Sequence, residues 1–463
     1  MKVIFLHGWS TTNTDTYGYL PIWLSKQNGV AVSNVYLGKY ISFVDMVTMD
    51  DIARAMDAAI REEMGDNPEP FACITHSTGG PVVRIWMHMY YGDNLSKCPL
   101  KNLIMLAPAN HGSALAQLGK GKLSHIKAMF AGVEPGVKVL DWLELGSDEA
   151  WDLNSHWLDY DCVGSGIFPF VLAGQSIDRK LYDHVNSYTG EPGSDGVVRL
   201  AAANMNYGLI RLHQRDDKLE PVAIKRSPQT AFGVLPGLSH GGDKMGIMKS
   251  VTQANADTHP TPKWLLKCLK VPSSKEYRML SGELARLTRE TQRKEREERV
   301  KTLFGTKKYI TRRYSMVVFR LLDDRGTVLT DYDLLLTGGP KYRPDDLPHG
   351  FFVDRQRNEK NPGKLTYFLN HDILVRGLNK EKAHGRIGIQ LIARPEEGKQ
   401  ALAYYHPLEW RSDEGAVSQT LRPNETLMVE IILERRVDAR VFRLEKELKP
   451  SKIDKTPIGR TVQ

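Results

Sequence analysis

At 463 residues the chain is too long for one ordinary domain and long enough for two or three, each with its own core. With 41% hydrophobic and 25% charged residues it has the composition of a soluble globular protein; no apolar run approaches a membrane span, and the opening Met1-Lys2-Val3-Ile4-Phe5-Leu6-His7-Gly8 is too short for a signal peptide. The net charge of +8 is concentrated between Ser273 and Arg313, where thirteen Lys and Arg face six Glu, and no recognition module or basic-aromatic interleaving accompanies it, which argues against a nucleic-acid partner.

Short apolar strands alternate with helical patterns through the first part of the chain: Val3 to Leu6, Val30 to Val35, a helix from Asp50 to Met64, Phe71 to Ile74, a helix from Val82 to Tyr91, then Leu103 to Leu106. Strict alternation predicts an α/β domain over 1–271 with a parallel sheet covered on both faces. Within it, about 114–166 is an insertion rich in Leu, Trp and other large apolar residues that glycines and Pro135 break into short helices. Residues 272–313 read as a charged linker helix with a weak apolar stripe of Met279, Leu280, Leu284 and Leu287. From 314 to 450 the runs Met316 to Leu322, Leu365 to Leu369, Ile387 to Ala393 and Leu427 to Leu433 predict a mostly antiparallel β-sandwich, followed by a loose tail over 451–463. Cys73, Cys98, Cys162 and Cys268 are irregularly spaced, which implies neither a zinc site nor a disulfide framework and fits synthesis in a reducing compartment.

Between the strand at Phe71 and the helix at Val82 stands Thr75-His76-Ser77-Thr78-Gly79-Gly80. A serine at such a strand-to-helix turn has its hydroxyl lifted clear of the sheet, with a helix N-terminus aimed at incoming negative charge. A plain Ser/Thr/Gly turn would use the same residues. A nucleophilic serine needs a base to accept its proton and an acid to orient that base. Asp195, in Gly193-Ser194-Asp195-Gly196-Val197-Val198, and His240, in Gly237-Leu238-Ser239-His240-Gly241-Gly242, supply them in the order Ser, Asp, His; Asp178 and His259 are the alternatives, and His76 reads as a local hydrogen-bonding residue. The backbone N–H groups of Trp9 and Thr78 are the candidates for an oxyanion hole.

These segments, with His7-Gly8-Trp9, Ala107-Pro108-Ala109-Asn110-His111-Gly112-Ser113 and Leu145-Gly146-Ser147 followed by Asp152-Leu153-Asn154, recur in the same order in lipases. Over roughly residues 1–260 the chain resembles the α/β-hydrolase lipases, a group that includes bacterial triacylglycerol lipases, lecithin:cholesterol acyltransferase-like enzymes and inositol deacylases. The departure of Thr75 from the first glycine of G-x-S-x-G is also met among such lipases. The resemblance implies Ser77 as nucleophile, Asp195 as acid and His240 as base, and a lid over the serine at 114–166; the same apolar residues would serve equally as ordinary core.

The expectation is a serine hydrolase of lipid acyl esters, foremost a phospholipase A-type enzyme, with a lipid substrate and a membrane surface as partners. A triacylglycerol lipase or acyltransferase, a small-ester esterase and a non-catalytic lipid- or protein-binding module are the alternatives. No cofactor is called for, although Asp178 or Asp183 could hold a Ca²⁺. An appended β domain without a signal peptide is similar in layout to phospholipase effectors exported by contractile (type VI) secretion machines, which would add a secretion-machine or immunity-protein partner and a signal-less route out of the cytoplasm.

Overall fold

The computed structural model describes residues 1–7, 17–36, 45–118, 136–177, 191–302, 305–380, 383–394 and 403–437. Six strands, β1 (Lys2–His7), β2 (Ala31–Tyr36), β3 (Phe71–His76), β4 (Leu100–Leu106), β5 (Phe168–Ala173) and β8 (Ala231–Val234), form one parallel sheet in the order β2-β1-β3-β4-β5-β8. Successive side chains of a strand point to opposite faces, so a sheet covered on both sides needs apolar residues at every position. Strand β3 meets this demand: Phe71 and Cys73 enter the core on one face, Ala72 and Ile74 the core on the other.

Helices α1 (Leu20–Ser25), α2 (Met49–Met64), α3 (Gly79–Tyr91), α4 (Val137–Leu143), α5 (Asp148–Trp157), α6 (Leu200–Ala203), α7 (Pro260–Leu269) and α8 (Ser274–Lys294) complete the hydrolase-like part. Helix α2 begins at a capping box in which Thr48 accepts from the Asp51 N–H and Asp51 accepts from the Thr48 N–H, so two otherwise orphan amides at its start are paired. Of the expected lid, 119–135 lie outside the described residues. The remainder forms α4 and α5, whose Val139, Trp142, Leu143, Trp151, Leu153 and Trp157 are buried in the first core.

The charged segment after 272 is helical only as far as Lys294. Its buried face, Tyr277, Leu280, Ser281, Leu284, Thr288 and Thr291, recurs at helical spacing and lies on β8, where Leu284 fills the space that a side chain at Gly233 would need. Tyr277 accepts from the Ala231 N–H and donates to the Pro169 carbonyl. The helix is thus part of the α/β domain as well as a connection out of it. Beyond it, β9 (Glu297–Thr302) and β10 (Gly305–Ile310) pair as an antiparallel hairpin, where Val300 and Thr302 alternate with charged residues and favour extended backbone over a longer helix.

The C-terminal part is built on one nine-stranded, mostly antiparallel sheet, in the order β12-β15-β17-β7-β6-β18-β11-β14-β13. Its strands are β6 (Tyr207–Arg215), β7 (Lys218–Arg226), β11 (Tyr314–Asp323), β12 (Tyr332–Gly338), β13 (Phe352–Arg357), β14 (Lys364–Asn370), β15 (Ile387–Ala393), β17 (Leu408–Arg411) and β18 (Thr426–Leu433). Two come from within the first 271 residues: β6 pairs in parallel with β18, so a hairpin of the α/β part is built into the neighbouring sheet. Along β11 the pattern splits, Met316 and Val318 joining the core shared with the helices, Val317, Phe319 and Leu321 a third core on the far side. The two parts therefore share a hydrophobic core. Polar contacts reinforce the seam: Lys364, buried on β14, pairs with Asp148 of α5, and Asn204 Nδ2 donates to the Asn424 carbonyl over 2.7 Å.

Candidate active site

Ser77, Asp195 and His240 follow the C-terminal ends of β3, β5 and β8, at the edge of the sheet where open α/β folds form their binding crevices. Ser77 has φ +53°, a left-handed conformation uncommon for a residue with a side chain, and its N–H is held by the Leu106 carbonyl at 3.0 Å. The turn is tight enough that a Cβ on Gly80 would sit 2.7 Å from the Pro108 Cβ. That contact explains why small residues follow the serine. Thr78, one of the two expected oxyanion donors, is the N-cap residue of α3, while Trp9, the other, lies outside the described residues.

His240 reaches both partners. Its Nε2 lies 3.1 Å from Ser77 Oγ and its Nδ1 3.0 Å from Asp195 Oδ2. A carboxylate only accepts, so Nδ1 carries the proton and Nε2 is left to accept the serine hydroxyl. The other carboxylate oxygen, Asp195 Oδ1, accepts the N–H groups of Val197 (3.0 Å) and Val198 (2.8 Å), and the Asp195 carbonyl accepts the His240 N–H at 2.9 Å. All three side chains are buried, Asp195 most deeply. His76 donates Nε2–H to the His240 carbonyl at 3.2 Å, its ring 4.7 Å from that of His240. Burial, then the neighbouring imidazole, pushes its pKa well below the ordinary histidine value, so it stays a neutral donor.

Of the alternatives, His259 is turned to Ser250, whose hydroxyl lies 2.9 Å from its Nε2, and accepts the Thr261 N–H on Nδ1 as a helix cap; the structure does not bring it to Ser77. Asp178 and Asp183 lie outside the described residues, and no cluster of three or more His, Cys, Asp or Glu side chains able to hold a metal occurs among the described ones. The four cysteines are buried and free, and burial pushes the Cys98 and Cys162 thiols up to about 12, as befits core residues.

Sequence reasoning did not single out a buried polar layer beneath the turn. Arg84 of α3 donates to Asn154 Oδ1 (2.8 Å) and Asn110 Oδ1 (3.3 Å), lies over the Trp157 ring, and has its pKa lowered to about 10 by burial. It also missed Glu191, Arg199 and Asp354. Arg199 is 1% exposed and bound in bidentate fashion by Glu191 at 2.8 and 2.9 Å, with Asp354 of β13 at 2.5 Å. An arginine inside the small, apolar run Gly196-Val197-Val198-Arg199-Leu200 was the available signal, since a charge is rarely buried without partners.

The chain is similar over its whole length to phospholipase PlaB from Legionella pneumophila: 56% of residues are identical, all of both chains is covered, and the TM-score is 0.90. The same comparison with PlaB in complex with thio-NAD gives 55% identity, full coverage of both chains and a TM-score of 0.89. No protein-family model matches the sequence, and no curated protein matches it.

His111 sits in this framework with its ring against Tyr207 and its N–H bonded to the Ala202 carbonyl. Burial, then the Arg84 charge, lowers its pKa from 6.5 to about 3. Unfolding restores the higher value, so between those two pH values the unfolded chain binds the extra proton; the stabilisation is present above pH 6.5 and declines as pH falls. Replacing His111 by Gln is expected to flatten the acid limb of stability by about 1.4 kcal/mol per pH unit, measured by urea unfolding across a pH series. An unchanged slope would contradict the assignment.

Proposed function

The chain belongs to the family of the Legionella phospholipase PlaB, and we propose that it is a serine hydrolase that cleaves acyl esters of glycerophospholipids, with Ser77 as nucleophile, His240 as base and Asp195 as the acid that orients it. The observation that carries this reading is the unbroken line of two hydrogen bonds through the His240 ring in a chain similar to a phospholipase along its entire length. Ser77 Oγ attacks the ester carbonyl while its proton passes to His240 Nε2. The imidazolium that forms is stabilised by Asp195 through Nδ1–H, and the Thr78 N–H faces the oxyanion. Collapse of the tetrahedral intermediate expels the lysolipid, which takes the proton from Nε2. Water, deprotonated by the same nitrogen, then releases the fatty acid and restores Ser77.

Ser77→Ala is expected to abolish release of fatty acid from dispersed phosphatidylcholine, with a loss of about 10⁴-fold or more in kcat. Product mass spectrometry on a mixed lipid extract separates the classes: lysophospholipid and free fatty acid support the proposal. Preference for triacylglycerol, acyl transfer to an alcohol, or equal turnover of short-chain esters would each point to one of the alternatives instead.

A second reading is favoured by a cavity of about 490 Å³ at the C-terminal end of α8, lined by Arg289, Arg293, Arg296, Arg312, Arg313 and Arg376. Its carboxylate, Asp372, is already paired with Arg313. Guanidinium groups bind phosphate bidentately, and the volume is that of a small-molecule site. Since a structure of PlaB is in complex with thio-NAD, we propose that the pyrophosphate of a nicotinamide dinucleotide is taken here, with no catalytic step passing through it. Calorimetry with NAD is expected to give saturable binding that Arg293→Glu weakens about tenfold or more. Binding unaffected by that change would place the dinucleotide elsewhere.

A further inference from the structure

The loop that carries Asp195 is closed at its base by a salt bridge between its two ends, Glu191 and Arg199. The guanidinium is anchored from outside the loop by groups of the C-terminal sheet. Asp354 of β13 accepts from Nη2, and the Phe368 ring of β14 lies 4.2 Å below the guanidinium carbon. Tyr314 of β11, stacked on Phe368, presses on the loop so closely that a Cβ on Gly193 would come within 2.3 Å of its ring; Gly193 also has φ +83°. Arg199 and Gly193 are thus held directly by three strands of the neighbouring sheet, and Glu191 is held through Arg199.

One guanidinium between two carboxylates leaves a net negative charge in a site where Arg199 is 1% and Glu191 7% exposed. Burial alone pushes Glu191 up and opposes the charge on Arg199; the two carboxylates overcome that for the arginine and hold its pKa above the ordinary value. An arrangement this costly to desolvate is a poor general adhesive, because apolar groups of the same volume stabilise at least as well. What it supplies is direction: a planar fork fixes two carboxylates at defined angles.

We propose that Arg199 and Asp354 are positioning residues for the catalytic acid, through which the C-terminal sheet sets the 191–199 loop so that Asp195 Oδ2 meets His240 Nδ1. The inference rests on the reading of Ser77, His240 and Asp195 given above. It assigns the β-rich part a role in the chemistry itself, beyond contact with lipid or partner. The path is short: Arg199 N-caps the helix Leu200–Ala203, whose Ala202 carbonyl holds His111, while the Val197 carbonyl is held by Ser113 Oγ at 2.6 Å. The carboxylate oxygen that does not face His240 is bound by the two amides, Val197 and Val198, that directly precede Arg199. A shift of the arginine therefore moves those amides, and with them the carboxylate.

The test is made on the full-length chain with Asp354→Asn, which keeps the side-chain volume and removes the charge, and with Asp354→Glu, which keeps the charge and displaces it. Circular dichroism first confirms that each is folded; the second variant stands in if the first is not. The readouts are kcat and KM on dispersed phosphatidylcholine, and the far-downfield proton resonance of His240 Nδ1–H, assigned by its loss in Asp195→Asn. The expected result is a fall in kcat of about tenfold or more at unchanged KM, with the resonance broadened or moved upfield. A folded variant with parental kcat, or one whose kcat falls while the resonance stays in place, overturns the proposal. Fluorophosphonate labelling of the parent separates the two claims: an unlabelled parent sinks the triad reading, whereas parent and variant labelled at equal rates sink only the positioning role.

Discussion

A serine hydroxyl becomes a nucleophile only if a lone pair waits for its proton, and here that lone pair is fixed by a carboxylate on the far side of the same ring. Ser77, His240 and Asp195 come from loops after three different strands, so two hydrogen bonds of 3.0 and 3.1 Å have to be assembled from segments with no local reason to meet. The parallel sheet supplies the coarse alignment by ending its strands along one edge. The finer alignment comes from contacts around the loops: the Leu106 carbonyl under Ser77, His76 on the carbonyl of His240, and the Val197 and Val198 amides on Asp195.

The two halves of the molecule are not a catalytic unit with a separable attachment. Tyr207, Leu209, Tyr314, Met316, Val318, Phe368 and Met428 contribute to the same core as the helices beside the sheet, and the β6–β7 hairpin crosses from one half into the other. Charged pairs cross the seam as well, including Lys364 with Asp148 and Lys360 with Asp141. The His240 side of the site is reached by the same route: Glu295 at the end of α8 accepts the Gly237 N–H, and Gln292 is bonded both to Gln175 and to Asn424 of the β-rich part. The arginine-lined cavity opens beside these residues, which puts a ligand held there close to the loop that carries the base.

Much of this was legible in the sequence because it depends on local patterns. Alternation of apolar strands and helices marks the parallel sheet, and Ser77, Asp195 and His240, each with a glycine one or two residues on, stand out by turn chemistry and chain order. Where the reading stopped, the cause lay in long-range contacts. Lys275 to Thr302 looked like one solvated helix because its charges are local, whereas its end at Lys294 and its burial against Gly233 depend on β8. Tyr207 to Arg226 alternates like any strand pair, and nothing local tells it to pair with β18. Arg199 and Asp354 are far apart in the chain, so a charge that looked like one of many lies, in space, buried at the base of the acid loop.

The account turns on Ser77 becoming transiently acylated, and rapid-quench mass spectrometry of peptides from the enzyme turning over a phospholipid reads this directly. It predicts a fatty-acyl adduct on the peptide containing Ser77 that forms and decays with turnover and accumulates when the water step is slowed. Product release with no such adduct, or an adduct on a different residue, would contradict it.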